Sequence, residues 1–162
     1  MDHEFLDPTF ARPDAYVALS DDARAHHAKA DDDLCQISLP GAPIQYFVRA
    51  TLPVAVVGRP DGMMWGIWAR VDAATFGRVL ELWSEGDVTS EPPFQVALAN
   101  DVPGMSSLGL RALMRLMGPT DRPSLDLLGG DDHPFVAECR SGIDAARADA
   151  YVSARAHVGL DS

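Results

Sequence analysis

The stretch from Gln45 to Val71 constrains the fold more than any other part of the chain. Gln45 to Val57 is dense in Tyr, Phe, Val and Thr, residue types that suit a pleated, half-buried surface. Gly58-Arg59-Pro60-Asp61-Gly62 follows as a turn signal, and Met63 to Val71 reads as the next strand. Two strands so closely joined pair as an antiparallel hairpin. In the second strand Met63, Trp65, Ile67 and Ala69 alternate with Met64, Gly66, Trp68 and Arg70, and both sets are largely apolar. Such a strand is central and covered on both sides. Gly66 leaves a gap where another backbone or a ligand can come close, and Pro53 marks a bulge or an edge.

The flanking segments supply helices. Asp14 to Ala30 reads as helical, with Ser20 capping a turn that opens on Asp21 and Asp22, and Asp31, Asp32 and Asp33 ending it. Leu34 to Ser38 is a short strand. Asp72 caps a helix from Ala73 to Ser84, where Phe76, Val79, Leu80 and Trp83 form one apolar stripe and Gly86 is the stop. Phe94 to Ala99 is a strand. Met105 to Met117 fits a helix through Leu110, Leu113, Met114 and Met117, and fits a strand through Leu108, Leu110, Ala112, Met114 and Leu116. Ser124 to Leu128 is a strand, and Pro134 opens a helix that Gly142 interrupts. Ile143 to His157 is the last helix, with Ile143, Ala146, Ala150 and Ala154 facing inward. Consecutive strands with helices at the two ends predict an α+β fold, an antiparallel sheet of about five to six strands with one further helix between strands. An N-terminal arm over residues 1–13, a single domain over 14–157 and a tail over 158–162 complete the expected organisation.

Composition limits the function classes. With 24 acidic and 13 basic residues the formal net charge is −11. That field repels phosphate backbones and anionic membranes, so nucleic acid and membrane are not expected partners, whereas a basic protein is attracted. Oligomeric state is not legible. The spacing of Cys35 and Cys139 matches no zinc motif, so no metal and no cofactor is expected. Met1 to Pro13 lacks an apolar leader core, and no apolar run approaches a membrane span. A cytoplasmic location is the expectation.

Several pieces resemble a bacterial family, domain of unknown function 2199. They are Tyr46-Phe47-Val48-Arg49-Ala50-Thr51-Leu52-Pro53-Val54, Trp65-Gly66-Ile67-Trp68, Leu98-Ala99-Asn100-Asp101-Val102-Pro103, Arg122-Pro123-Ser124-Leu125-Asp126-Leu127, and Asp132-His133-Pro134-Phe135 with Gly142-Ile143. The resemblance implies a small cytoplasmic bacterial protein and no named activity. It favours the strand reading of Met105 to Met117. Members of that family often begin with a Cys-x-x-Cys-Gly segment suited to zinc; here that segment is missing and only Cys35 remains.

A few residues are candidates for chemistry. Asp132 and His133 make a neighbouring carboxylate–imidazole pair beside Asp131, able to act as a general base. The competing reading makes His133 the N-cap of the helix that Pro134 opens. Arg49 lies within an apolar strand; pointing inward it needs a carboxylate or a bound anion, and pointing outward it packs its stem on apolar surface. Asn100, Arg122 and Trp68 are candidate ligand-binding residues, each with a plainer reading as turn former, carbonyl cap or core. No phosphate-loop, dinucleotide or nucleophile-elbow motif is present. The sequence therefore leans away from an enzyme. It points to an acidic protein-binding module, in its sharpest form an immunity-like protein that neutralises a basic partner. The alternative is a small-molecule binder or enzyme with a site around Arg49, Asn100, Asp132 and His133.

Overall fold

A computed structural model of the chain describes residues 7–83, 85, 88, 90–118, 121–130 and 132–159, with side chains described as far as 155. In chain order the elements are α1 (Asp14–Val17), α2 (Asp21–His27), β1 (Ala28–Ala30), β2 (Leu34–Ile37), β3 (Gln45–Val56), β4 (Arg59–Val71), α3 (Ala73–Leu82), β5 (Phe94–Leu98), β6 (Arg111–Arg115), β7 (Ser124–Leu127), α4 (Pro134–Ser141) and α5 (Ala145–Gly159). The fold is α+β. Gly86 and Asp131 lie outside the described residues.

The sheet departs from the expected antiparallel one of about five to six strands. Among the described residues it has seven strands in chain order, and β3 also pairs with β7, which closes β3 to β7 into a five-stranded barrel. Each strand from β3 to β7 runs antiparallel to the one before it. An odd number of alternating strands leaves the first and last pointing the same way, so closure has to be parallel. It is made by the single pair Thr51↔Ser124 and by the Thr51 N–H donating to Pro123 O at 2.8 Å. No local sequence signal encodes such a closure.

The β3–β4 hairpin is present, but its loop is only Val57 and Gly58, with Val56 opposite Arg59. Gly58 has φ 81° and supplies the left-handed residue of this tight turn. Arg59 to Gly62, expected as turn, belongs to β4. Pro53 is tolerated because Thr51 directs its N–H toward β7, and the residue two further on faces the same way. The β4 ladder thus loses no donor. The bulge falls at Ala55, between Val54 and Val56, and its carbonyl accepts the Ile143 N–H at 2.9 Å.

Of the two alternating sets in β4, that of Met63, Trp65, Ile67 and Ala69 faces the barrel interior. Val48, Ala50, Leu52, Val54, Trp65, Ile67, Ala69, Val96, Leu98, Ala112, Met114, Leu125 and Leu127 are all buried. Within the segment 105–117 only Arg111–Arg115 is strand, with Ala112 and Met114 inward, and the residues before it form turns. The expected helix Asp14 to Ala30 instead breaks into α1, α2 and the edge strand β1, where Ala28 to Ala30 pair with β2. Ser20 does cap α2, accepting the Ala23 N–H at 3.1 Å. The inward face of α5 is also different. Ala148, Tyr151 and Arg155 are buried while Ala146 and Ala150 are exposed. Alanine carries too little apolar area to mark a face, and Tyr151 outweighs the alanine stripe.

Residues 7 to 14 form a strap along β4, because the β4–β5 ladder covers only Ala69 and Arg70. The remaining outward-facing peptide groups of β4 are taken in turn. Met64 N–H donates to Asp7 Oδ1 at 2.9 Å, Gly66 exchanges bonds with Pro8 O and the Phe10 N–H, and Trp68 bonds Asn100 and the Ala99 N–H. A Cβ on Gly66 would stand 3.0 Å from Thr9 Cγ2, so the gap seen in the sequence is filled by the chain's own strap.

Candidate functional site

The backbone distributes the candidate residues over two regions. Arg49 and Trp68 are direct partners on the outer face of β3 and β4. Arg49 sits where β2 and β7 part from β3: its own N–H donates to Asp33 O, and two residues on Thr51 bonds Pro123 O. Its Nη1 donates to Asp32 O at 3.1 Å, while its Nε is buried without a hydrogen-bond partner among the described residues. Burial first, then the neighbouring Arg122 charge, lowers its pKa against the opposing pull of Asp32 and Asp33. Arg122 Nε donates to Asp33 Oδ1 at 2.9 Å and so ties the two diverging strands together. The acidic run is thereby largely structural. Asp31 Oδ1 accepts the N–H groups of Asp33 and Leu34, Asp32 faces Arg12 at 3.9 Å, and Asp33 holds Arg122.

Asn100 adjoins the same region but is fully buried and fully engaged. Its Oδ1 accepts the Trp68 N–H at 2.8 Å, and its Nδ2 donates to Arg12 O and Asp14 Oδ1, both at 2.9 Å. Its own carbonyl accepts from Ser107 Oγ. Trp68 is likewise buried, with its indole N–H donating to Phe10 O at 3.1 Å. These groups join strap, strand and loop and leave no polar atom for a ligand.

His133 and Asp132 stand apart, at the start of α4. His133 is the N-cap, and its Nδ1 accepts the Phe135 N–H at 3.1 Å. That bond places the ring proton on Nε2, which faces Ser106 O at 3.3 Å. Asp132 is exposed, and no hydrogen bond or ion pair joins it to His133 among the described residues. The ring is occupied as a helix cap. Replacing His133 with alanine is expected to destabilise the fold by about 1 kcal/mol, with asparagine restoring most of it. Urea denaturation measures this; an unchanged midpoint for the alanine variant defeats the capping account.

The two thiols are shielded. Burial pushes Cys35 up to about 11 and Cys139 up to about 12, so neither is a nucleophile near neutral pH. Among the described residues no three His, Cys, Asp or Glu side chains gather as a metal site. No helix among them is long and apolar enough to cross a membrane.

The structure displays a surface that the periodicity of α3 concealed. Of its apolar stripe, Phe76 and Val79 are buried, but Leu80 is 48% and Trp83 42% exposed. Met117, after β6, is 54% exposed and lines one shallow crevice with Trp83, Val88 and Leu116. Leu80 and Trp83, three apart on the helix, lie on neighbouring positions. Glu81, Glu85 and Asp121 are exposed around this patch, and the nearby Arg78 is bound by Glu91 at 2.7 Å and faces Glu81 at 3.8 Å. The stripe alone did not reveal this, because periodicity marks an apolar face and not how much of that face a distant segment covers.

No curated protein and no solved structure matches the chain. One family model does, over residues 2–143, which takes in every strand and α4 but stops short of α5. The barrel with its strap is thus the matched unit, and the chain belongs to the family described as an uncharacterized protein conserved in bacteria, DUF2199.

Proposed function

We propose that this protein is an acidic interaction module that docks a basic protein partner on the Leu80–Trp83–Met117 patch. The observation that carries the reading is three large apolar side chains exposed together within a rim of carboxylates. Interface centres favour aromatic residues and methionine within a polar rim, and an apolar cluster on a soluble surface has an expected use. The rim and the net charge of −11 select cationic surroundings on the partner. An immunity-like role is the sharpest form of this reading. The alternative, a ligand or enzyme site built from Arg49, Asn100, Asp132 and His133, draws less support, since Asn100 and His133 are engaged in holding the fold.

The test compares partners captured by the wild-type chain and by a Trp83→Ser, Met117→Ser variant, at low and moderate salt. A basic protein held by the wild type is expected to bind at least about tenfold more weakly to the variant. Its affinity should also fall steeply with salt. A partner retained equally by both chains, or one indifferent to salt, overturns the proposal.

A further inference from the structure

A second feature is independent of that patch. The β4–β5 ladder ends at Arg70↔Ala97 because Asp72 starts α3, so the two strands diverge. A cleft of ≈ 490 Å³ opens there, in the size range of small-molecule sites. Its lining includes Gln45, Arg70, Asp72, Gln95, Ala97 and Arg111. Arg70, Ala97 and Arg111 are successive partners across β4, β5 and β6, so all three side chains stand on one face in a row. Two strand spacings place the arginine Cα atoms about 10 Å apart. The methyl group of Ala97 between them keeps the floor low.

Both arginines are exposed, and neither makes a hydrogen bond, ion pair or ring contact with any described residue. Among the described residues they stand unpaired, in a chain with 24 acidic residues. The cleft's own carboxylate does not serve them. Asp72 caps α3, accepting the Thr75 N–H at 2.7 Å, and that bond lowers its pKa and keeps it ionised. Gln45 and Gln95 add amide donors and acceptors. Two guanidinium forks aimed at one polar cleft suit a doubly charged oxyanion, with two N–H bonds available from each fork.

We propose that this cleft binds a small organic dianion, a phosphate monoester or a dicarboxylate, between Arg70 and Arg111. The ionised Asp72 at the lip turns the rest of the ligand toward neutral or cationic character on that side.

Titration of the ¹⁵N-labelled chain with glycerol phosphate, and separately with succinate, at constant ionic strength tests this. Saturable shifts are expected at the amides of Arg70, Ala97 and Arg111, with the tighter of the two naming the ligand class. Arg70→Gln and Arg111→Gln should each weaken binding about tenfold or more. Neither side chain holds a described contact, so the rest of the spectrum should stay in place. Ala97→Glu, which offers the arginines an internal carboxylate, should abolish binding. If a substituted chain fails to fold, Arg70→Lys keeps the charge without the fork and should still weaken binding. Shifts that do not saturate, that chloride reproduces, or that survive loss of both arginines overturn the proposal.

Discussion

Trp65→Ala is expected to destabilise the protein by about 3–5 kcal/mol, the range for truncating a buried aromatic residue. Trp65 is fully buried at the junction of barrel, strap and C-terminal helices. Its ring stacks on Phe10 at 5.8 Å and meets Tyr151 and Phe135 edge-on at 5.0 and 6.2 Å. The cavity would undermine three separate chain segments at once. Arg155 continues the assembly, with its guanidinium 3.9 Å over the Phe10 ring and its Nε donating to Thr9 O. Trp65→Phe should cost much less, no more than about 2 kcal/mol, because the buried indole N–H has no acceptor among the described residues and its removal relieves that penalty. Chemical denaturation of the three chains decides it. Equal losses for alanine and phenylalanine would show that the indole N–H does find a partner in solution.

Asn100→Ala should cost about 3 kcal/mol or more, although it removes little apolar area. The loss is polar. It strands the Trp68 N–H and removes both donors to Arg12 O and Asp14 Oδ1 in a fully buried setting. Asn100→Asp makes a sharper comparison. It preserves the shape and the acceptor for Trp68, but it replaces the donor to Asp14 by a second carboxylate, and like charges in low dielectric repel strongly. Aspartate should therefore be at least as destabilising as alanine at neutral pH. It should recover stability in acid, where the paired carboxylates share a proton. A mild aspartate variant at neutral pH would falsify the assignment of Nδ2 as donor to Asp14. Hydrogen exchange should localise the damage in both variants to the strap and to the loop held by Ser107, which donates to Asn100 O and accepts the Val102 N–H.

The local elements were legible wherever side-chain chemistry alone sets them. The Gln45–Val71 hairpin, the Asp72 and Ser20 caps and the Pro134 helix start are encoded by residues a few positions apart. The α5 face misled, because alanines at helical spacing carry no strong preference and Tyr151 settles the orientation. The Asp31–Asp33 run, expected to end a helix, is in large part a turn bonded to its own backbone and to Arg122. Arg49, Asn100, Asp132 and His133 looked like one site because neighbouring motifs invite that reading. In space Asn100 and His133 serve different joints of the scaffold.

What the sequence by itself determined is the hairpin with its two apolar alternating sets, Met63, Trp65, Ile67 and Ala69 against Met64, Gly66, Trp68 and Arg70, the caps, and a net charge of −11. Tertiary structure alone decided that the sheet closes through Thr51↔Ser124, that the strap completes β4, and that Leu80 and Trp83 remain outside. It also set Arg70 and Arg111 across Ala97 in one cleft. The division has a physical reason. Caps, turns and alternation depend on neighbours within one helical turn or one strand. Closure and exposure depend on strand curvature and on which distant segment reaches an unpaired edge first.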